Sequence, residues 1–142
     1  MTTIGQILQE KGGDVISISP DATVFDAIKT MADQNVGALV VMERGKVVGL
    51  ITERTYAREV VLKGRTSPAT LVRDVMETDL PYVSPEQMVE ECMAVMTETR
   101  LRHLPVFSRG ELVGLISMGD LVKSIIGHQE FTIEQLLHYI QS

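Results

Sequence analysis

The stretch Gly114-Leu115-Ile116-Ser117-Met118-Gly119-Asp120 reads as a buried strand running straight into a helix, with a hydroxyl and a carboxylate three residues apart at the junction. A helix N-terminus carries unpaired N–H groups and the positive end of the helix dipole, so it favours anions. A carboxylate repels a phosphate, but it accepts two hydrogen bonds from a vicinal diol. Ser117 with Asp120 therefore suits a nucleotide, ribose included, better than a bare phosphate. Ser and Asp are equally ordinary helix-capping residues, and the two letters serve both readings.

Sixty-five residues earlier the pattern recurs as Val48-Gly49-Leu50-Ile51, followed by Thr52 and Thr55. At that offset Ser19-Pro20 falls on Ser84-Pro85, Met31 on Met96, Leu39 and Val41 on Leu104 and Val106, and Arg44-Gly45 on Arg109-Gly110. Self-similarity at a fixed, gapless offset marks an internal repeat. The first copy predicts a strand over 15–18 and a helix capped by Asp21 or Thr23 and running to about 35. Strands over 38–42 and 47–52 follow around a turn, then a helix over 54–62. Such a unit has too little interior to stand alone, so two are expected to pack about a pseudo-twofold axis. The fold class is mixed α/β (α+β), two β-α-β-β-α repeats with flanking helices. Ile4, Ile7 and Leu8 line one face of an N-terminal helix, and Phe131, Ile133, Leu136, Leu137 and Ile140 belong to a final one. The expected boundaries are 1–14 for the N-terminal helix, 15–66 for repeat 1, 67–79 for a linker helix, 80–129 for repeat 2 and 130–142 for the C-terminal helix.

With 142 residues, 44% of them hydrophobic, the chain can bury a core. A net charge of −6 argues against nucleic acid as a bulk electrostatic partner. A single cysteine excludes an internal disulfide and supplies no metal cluster, and a reducing cytoplasm is the expected location. No apolar run reaches the length of a membrane span.

The two segments Gly49-Leu50-Ile51-Thr52 and Gly114-Leu115-Ile116-Ser117, each opening a helix, carry a family resemblance. With Arg102-His103-Leu104-Pro105-Val106 and the Ser-Pro after each first strand, they resemble the tandem CBS (cystathionine β-synthase) domain pair, or Bateman module. Residues 15–127 are covered, as in small stand-alone members of that family. The resemblance implies a cleft between the repeats that takes an adenosine-containing ligand: AMP, ADP, ATP, NAD(H) or S-adenosylmethionine. In the family a Thr/Ser-x-x-Asp motif holds phosphate with its hydroxyl and ribose with its Asp. That implies Ser117 for phosphate and Asp120 for ribose, with backbone N–H groups of Met118 and Gly119 at the helix end. Repeat 1 has Thr52 and Thr55 there, and a threonine cannot chelate a diol as a carboxylate does. Its site is expected to be weaker by about 1.5–3 kcal/mol, roughly ten- to a hundredfold.

The resemblance further implies Arg102 and His103 as phosphate cations, where repeat 1 has Gly37 and Ala38. It implies Arg54 reaching the shared cleft, and Thr78, Leu80 and Tyr82 beside the adenine. A basic pair favours AMP, ATP or NAD(H) over a sulfonium. Plainer roles are open for each: Arg102 as a solvated cation, His103 as a packing residue, Arg54 paired with Glu53 or Glu59. No nucleophile–base pair stands out, and Cys92 beside Met93 and Met96 reads as an inert core thiol. The expected function is a non-enzymatic nucleotide-binding regulatory module acting as a homodimer, with no metal, nucleic acid or membrane partner. The alternative is a ligand-independent adaptor of a metabolic or redox enzyme.

Overall fold

A computed structural model describes residues 2–141. Met1 and Ser142, the outermost residues of the two expected terminal helices, lie outside the described residues. The chain divides into two compact units, Asp14–Pro81 and Met1–Gly13 with Tyr82–Ser142.

In the unit Asp14–Pro81, strand β1 (Ser17–Ile18) runs parallel to β2 (Ala38–Glu43), and β2 pairs antiparallel with β3 (Lys46–Thr52). The central strand β2 opens with four buried apolar residues, Ala38 to Val41, as a strand flanked on both sides requires. Arg44 and Gly45 both take positive φ, 53° and 76°, and turn β2 into β3 tightly. Helix α2 (Val24–Gln34) begins where Thr23 Oγ1 accepts the Asp26 N–H at 3.1 Å and ends on left-handed Asn35. It buries Val24, Ala27 and Met31 against Leu39, Val41 and Ile51. Helix α3 (Glu53–Thr55) continues as a π-helical segment, Tyr56–Val61.

The second unit repeats this backbone with helix α4 (Val89–Thr99) and the antiparallel strands β4 (His103–Ser108) and β5 (Glu111–Ser117). Each starts and ends 65 residues after α2, β2 and β3. Even the irregularities follow: left-handed Arg100 after Asn35, Arg109-Gly110 after Arg44-Gly45, and a register shift at Val106/Phe107 after Val41/Met42. The first strand of repeat 2 is reduced to one parallel bridge, Val83 to Val106.

Three elements differ from the sequence expectation. The linker is no helix: it forms two 3-10 turns, Ser67–Ala69 and Val72–Asp74. Its polar backbone is spent elsewhere, Val72 N–H on the Ala22 carbonyl, Arg73 N–H on Pro20 and the Thr70 carbonyl on Val24 N–H, all at 2.8–2.9 Å. Secondly, helix α1 (Ile4–Lys11) is not a bare flank. Ile4 N–H bonds the Gln87 carbonyl, Gly5 N–H bonds Pro85, and the Thr2 carbonyl accepts Val89 N–H. These are the linker's bonds again at an offset of 68, Thr2 for Thr70, Ile4 for Val72 and Gly5 for Arg73. The leading segment thus completes repeat 2 as the linker completes repeat 1, and Ile4, Ile7 and Leu8 join Val83, Cys92, Met96, Leu104 and Ile116 in one core. Thirdly, helix α5 (Met118–Gln141) runs unbroken through 129–130, where a separate C-terminal helix is expected. Gly127 costs roughly 1 kcal/mol against alanine in a helix interior but does not end one.

Gly49 and Gly114 sit where these segments press on the hairpins. A Cβ at Gly49 would lie 2.7 Å from Met76 Sδ and 2.8 Å from the Glu77 carbonyl oxygen; at Gly114 it would lie 2.7 Å from Leu8 Cδ2. Gly49→Ala is expected to destabilise by about 1–3 kcal/mol, and Gly114→Ala by less. The Leu8 side chain can turn aside, whereas the Glu77 backbone is fixed by its two bonds to Leu50. Urea denaturation of the two variants reads the order.

Candidate functional site

The junction of β5 and α5 is built by a reciprocal cap. Ser117 Oγ accepts the Asp120 N–H at 3.1 Å, and Asp120 Oδ2 accepts the Ser117 N–H at 2.8 Å. A third group joins them: Lys11, from the last turn of α1, donates its ammonium to Asp120 Oδ2 at 2.7 Å and to the Leu115 carbonyl at 2.8 Å. Among the described residues both hydrogen bonds to the Asp120 side chain fall on Oδ2, which leaves Oδ1 without a bonded donor there. Burial alone would raise the Asp120 pKa, but the hydrogen bonds from Lys11 and Ser117 and the Lys11 charge outweigh it, holding the carboxyl below its ordinary value. The residue is ionised at neutral pH, as a diol acceptor has to be. Lys11 and Asp120 also line a cleft of about 630 Å³ with Glu10, Lys123, Ser124 and Gly127.

Around this cap the structure gathers several of the sequence-predicted residues. His103 is the direct cross-strand neighbour of Ser117. Arg102 is exposed, and its carbonyl accepts the Met118 N–H at 2.9 Å. That bond corrects one expectation: the Met118 N–H is engaged by its own chain and is not a donor for an anion. Gly119, exposed one residue on, has the room. Tyr82 opens this unit, 66% exposed with its ring edge-on to Phe107 at 5.6 Å. Arg54, Thr78 and Leu80 belong to the unit Asp14–Pro81, where Arg54 is exposed on α3.

Repeat 1 has the same backbone and different chemistry. Thr52 Oγ1 accepts the Thr55 N–H at 3.1 Å, the Thr52 N–H reaches Thr55 Oγ1 at 3.3 Å, and the two hydroxyls lie 3.1 Å apart. Thr55 is buried, 3% exposed. Its hydroxyl closes on its own neighbours where Asp120 presents an open oxygen. Where Leu115 offers its carbonyl to Lys11, Leu50 bonds the Glu77 N–H instead.

Lys11 is the residue that the sequence reading missed. The signal that finds it is the second offset: Ile4-x-x-Ile7-Leu8 against Val72-x-x-Val75-Met76 docks α1 on repeat 2 and brings its last turn to β5. Lys11→Met is expected to cost about 0.5–1 kcal/mol at pH 7, the range of a partly exposed ion pair. The folded pKa of Asp120 is depressed, so the pair's stabilisation is present above the unfolded value and lost as pH falls through the folded one. The difference between wild type and variant in urea denaturation should therefore shrink from pH 7 to pH 3.

Among the described residues no group of His, Cys, Asp and Glu is placed to hold a metal ion, and none of the helices is long and apolar enough to cross a membrane. Burial pushes the Cys92 thiol up to about 11.

Comparison with known proteins places the chain in a family. Residues 4–62 and 72–127 each match the CBS domain. The chain is 39% identical over 149 residues to CBS domain-containing protein CBSX3, mitochondrial, of Arabidopsis thaliana, covering 99% of this chain and 72% of that protein. It is 35% identical over 107 residues to CBS domain-containing protein YhcV of Bacillus subtilis, covering 75% and 76%. The solved structure of a protein with CBS domains from Burkholderia ambifaria is 49% identical, with a TM-score of 0.87 over 90% of this chain and 96% of that one. The hexameric CBS-CP12 protein of bloom-forming cyanobacteria is 29% identical, with a TM-score of 0.76 over 86% and 71%. With two matched copies laid on one repeated backbone, the chain belongs to the CBS domain family and carries two CBS domains in tandem.

Proposed function

We propose that the β5–α5 junction binds an adenosine nucleotide, AMP, ATP or NAD(H), and that the chain is a non-enzymatic regulatory module working as a homodimer. The observation that carries this is Asp120: a carboxylate kept ionised, oriented through Oδ2 by Ser117 and Lys11, with Oδ1 open for a ribose hydroxyl. The second hydroxyl reaches Oδ2 only in competition with Lys11. Ser117 Oγ–H, the Gly119 N–H, Arg102 and His103 are the donors for phosphate, and Tyr82 offers a ring face to adenine. The mutually bonded hydroxyls of half-buried Thr52 and buried Thr55 support one strong nucleotide site per chain and not two. Regulation requires the nucleotide to favour one of two conformations; equal affinity for both would shift nothing.

Equilibrium titration with AMP, ATP, NADH and S-adenosylmethionine tests the reading. Micromolar binding of one of the first three, weaker for S-adenosylmethionine, is expected. Absence of any binding below about 1 mM, weaker than roughly 4 kcal/mol, would overturn it. The same titration on Arg54→Ala, Thr78→Ala and Leu80→Ala tests the phosphate and adenine roles that the family resemblance assigns to those residues.

A second reading, a protein-binding adaptor indifferent to nucleotide, is favoured by apolar side chains left in water, Val61 at 53% and Leu62 at 79% exposure. Co-purification at high salt with and without AMP separates the two, since an adaptor of that kind retains its partner equally in both.

A further inference from the structure

Helix α5 outlasts the core that anchors it. Met118, Leu121 and Ile125 pack on the hydrophobic cluster of their unit, while every residue of 126–140 is exposed. Polar side chains do not dominate that exposed length. Val122, Ile126, Ile133, Leu136 and Ile140 are 42, 50, 56, 57 and 76% exposed. With Gln129 they fall at spacings of four, three, four, three and four, the heptad rhythm that keeps one stripe facing a partner helix. A free helix of this length is marginal in water even with good propensity, so the stripe is built to be covered.

The character of the stripe selects the cover. Ile126, Ile133 and Ile140 occupy one heptad position, and Val122, Gln129 and Leu136 the other. Isoleucine fills the first position throughout and Leu136 stands at the second, a combination that suits a parallel two-stranded pair, with Gln129 the polar residue of the seam. In that pairing Ile125 of one copy flanks Glu130 of the other and Thr132 flanks Leu137, so no like charges meet. At about 100 Å² of apolar surface apiece, the five apolar stripe residues and Leu137 remove roughly 600 Å² per copy, which places the pair at the lower bound of a stable interface. A bilayer is the poorer cover: Glu130 and Glu134 are the acidic residues of 128–140 and that span has no Lys or Arg, so an anionic surface repels it.

We infer that α5 pairs with α5 of a second copy of this chain, parallel and in register, along Val122, Ile126, Gln129, Ile133, Leu136 and Ile140. This rests on the homodimer reading above; its test needs no nucleotide, although Ile126 also lines the cleft that holds Asp120. Sedimentation equilibrium of the full chain tests it with Ile133→Glu on the stripe and Phe131→Glu off it; both side chains are exposed, and circular dichroism checks each fold. A wild-type dimer is expected, with its dissociation constant raised at least a hundredfold by Ile133→Glu and less than threefold by Phe131→Glu. Because Cys92 is buried, oxidation of Ile126→Cys and of Ile140→Cys should each yield a covalent dimer. An antiparallel pair could not cross-link both positions to themselves. A wild-type monomer would overturn this seam and the homodimer together. A dimer untouched by Ile133→Glu would overturn the seam alone.

Discussion

Ile4→Ala is expected to lower the unfolding free energy by about 2–5 kcal/mol, from a residue that the repeat pattern leaves outside both domains. The side chain is 0% exposed and packs in one cluster with Val83, Val89, Leu104, Val106 and Ile116. Alanine removes three methyl or methylene groups and leaves a cavity that the clamped backbone cannot collapse, since Ile4 N–H and Gly5 N–H are both tied to the Ser84–Met88 loop at 2.9 Å. Against a total stability of about 5–15 kcal/mol for a domain, that is a large fraction from one side chain near the N-terminus. Val72→Ala, its counterpart in the unit Asp14–Pro81, should cost somewhat less because valine is smaller. Urea denaturation followed by circular dichroism measures both. A change below about 0.5 kcal/mol for Ile4→Ala, the size of an ordinary surface substitution, would mean that α1 does not complete the second repeat.

Asp120→Ala is expected to weaken AMP binding by roughly ten- to a hundredfold, the loss of a charge-assisted pair with the ribose. Alanine also removes the acceptor of the Ser117 N–H and the partner of Lys11, so stability falls by about 1 kcal/mol as well. Asp120→Asn separates the two effects. Its amide oxygen can still accept from Ser117 and keep the cap, but it cannot hold a diol through a charged carboxylate. Affinity should therefore fall in both variants while stability falls chiefly in the first. Because Asp120 is held below the ordinary carboxylate range, it stays charged between pH 7 and 5, and its contribution to binding should not change across that window. Calorimetric titration at both pH values checks this.

Much of the second unit was legible because the first is written in the same letters. The 65-residue offset carries α2 into α4, β2 into β4 and β3 into β5, with their turns, and the exchange of Asp120 for Thr55 marks the asymmetry of the two junctions. The side-chain hydrogen bonds then show what that exchange does, a carboxylate bonded through Oδ2 in one repeat and two hydroxyls bonded to each other in the other. The misses have physical causes. Ile4, Ile7 and Leu8 announce a buried face but not what buries it; the answer lies in backbone bonds to Pro85 and Gln87, which no side-chain pattern encodes. The Lys11–Asp120 pair joins residues 109 positions apart, and it follows only once α1 is docked. A helix N-terminus leaves N–H groups without intrahelical acceptors, which points the Met118 N–H at an anion, yet the residue just before β4 supplies an acceptor, the Arg102 carbonyl. The unbroken α5 shows a glycine at Gly127 outweighed by the helical residues on either side of it.

The most direct test of the central claim is the calorimetric stoichiometry of AMP on the wild-type chain, on Thr55→Ala and on Asp120→Ala. One AMP per chain is predicted for the wild type, retained with unchanged affinity in Thr55→Ala and weakened at least tenfold in Asp120→Ala. Two equivalent sites per chain, or an affinity that Asp120→Ala leaves untouched, would contradict the account.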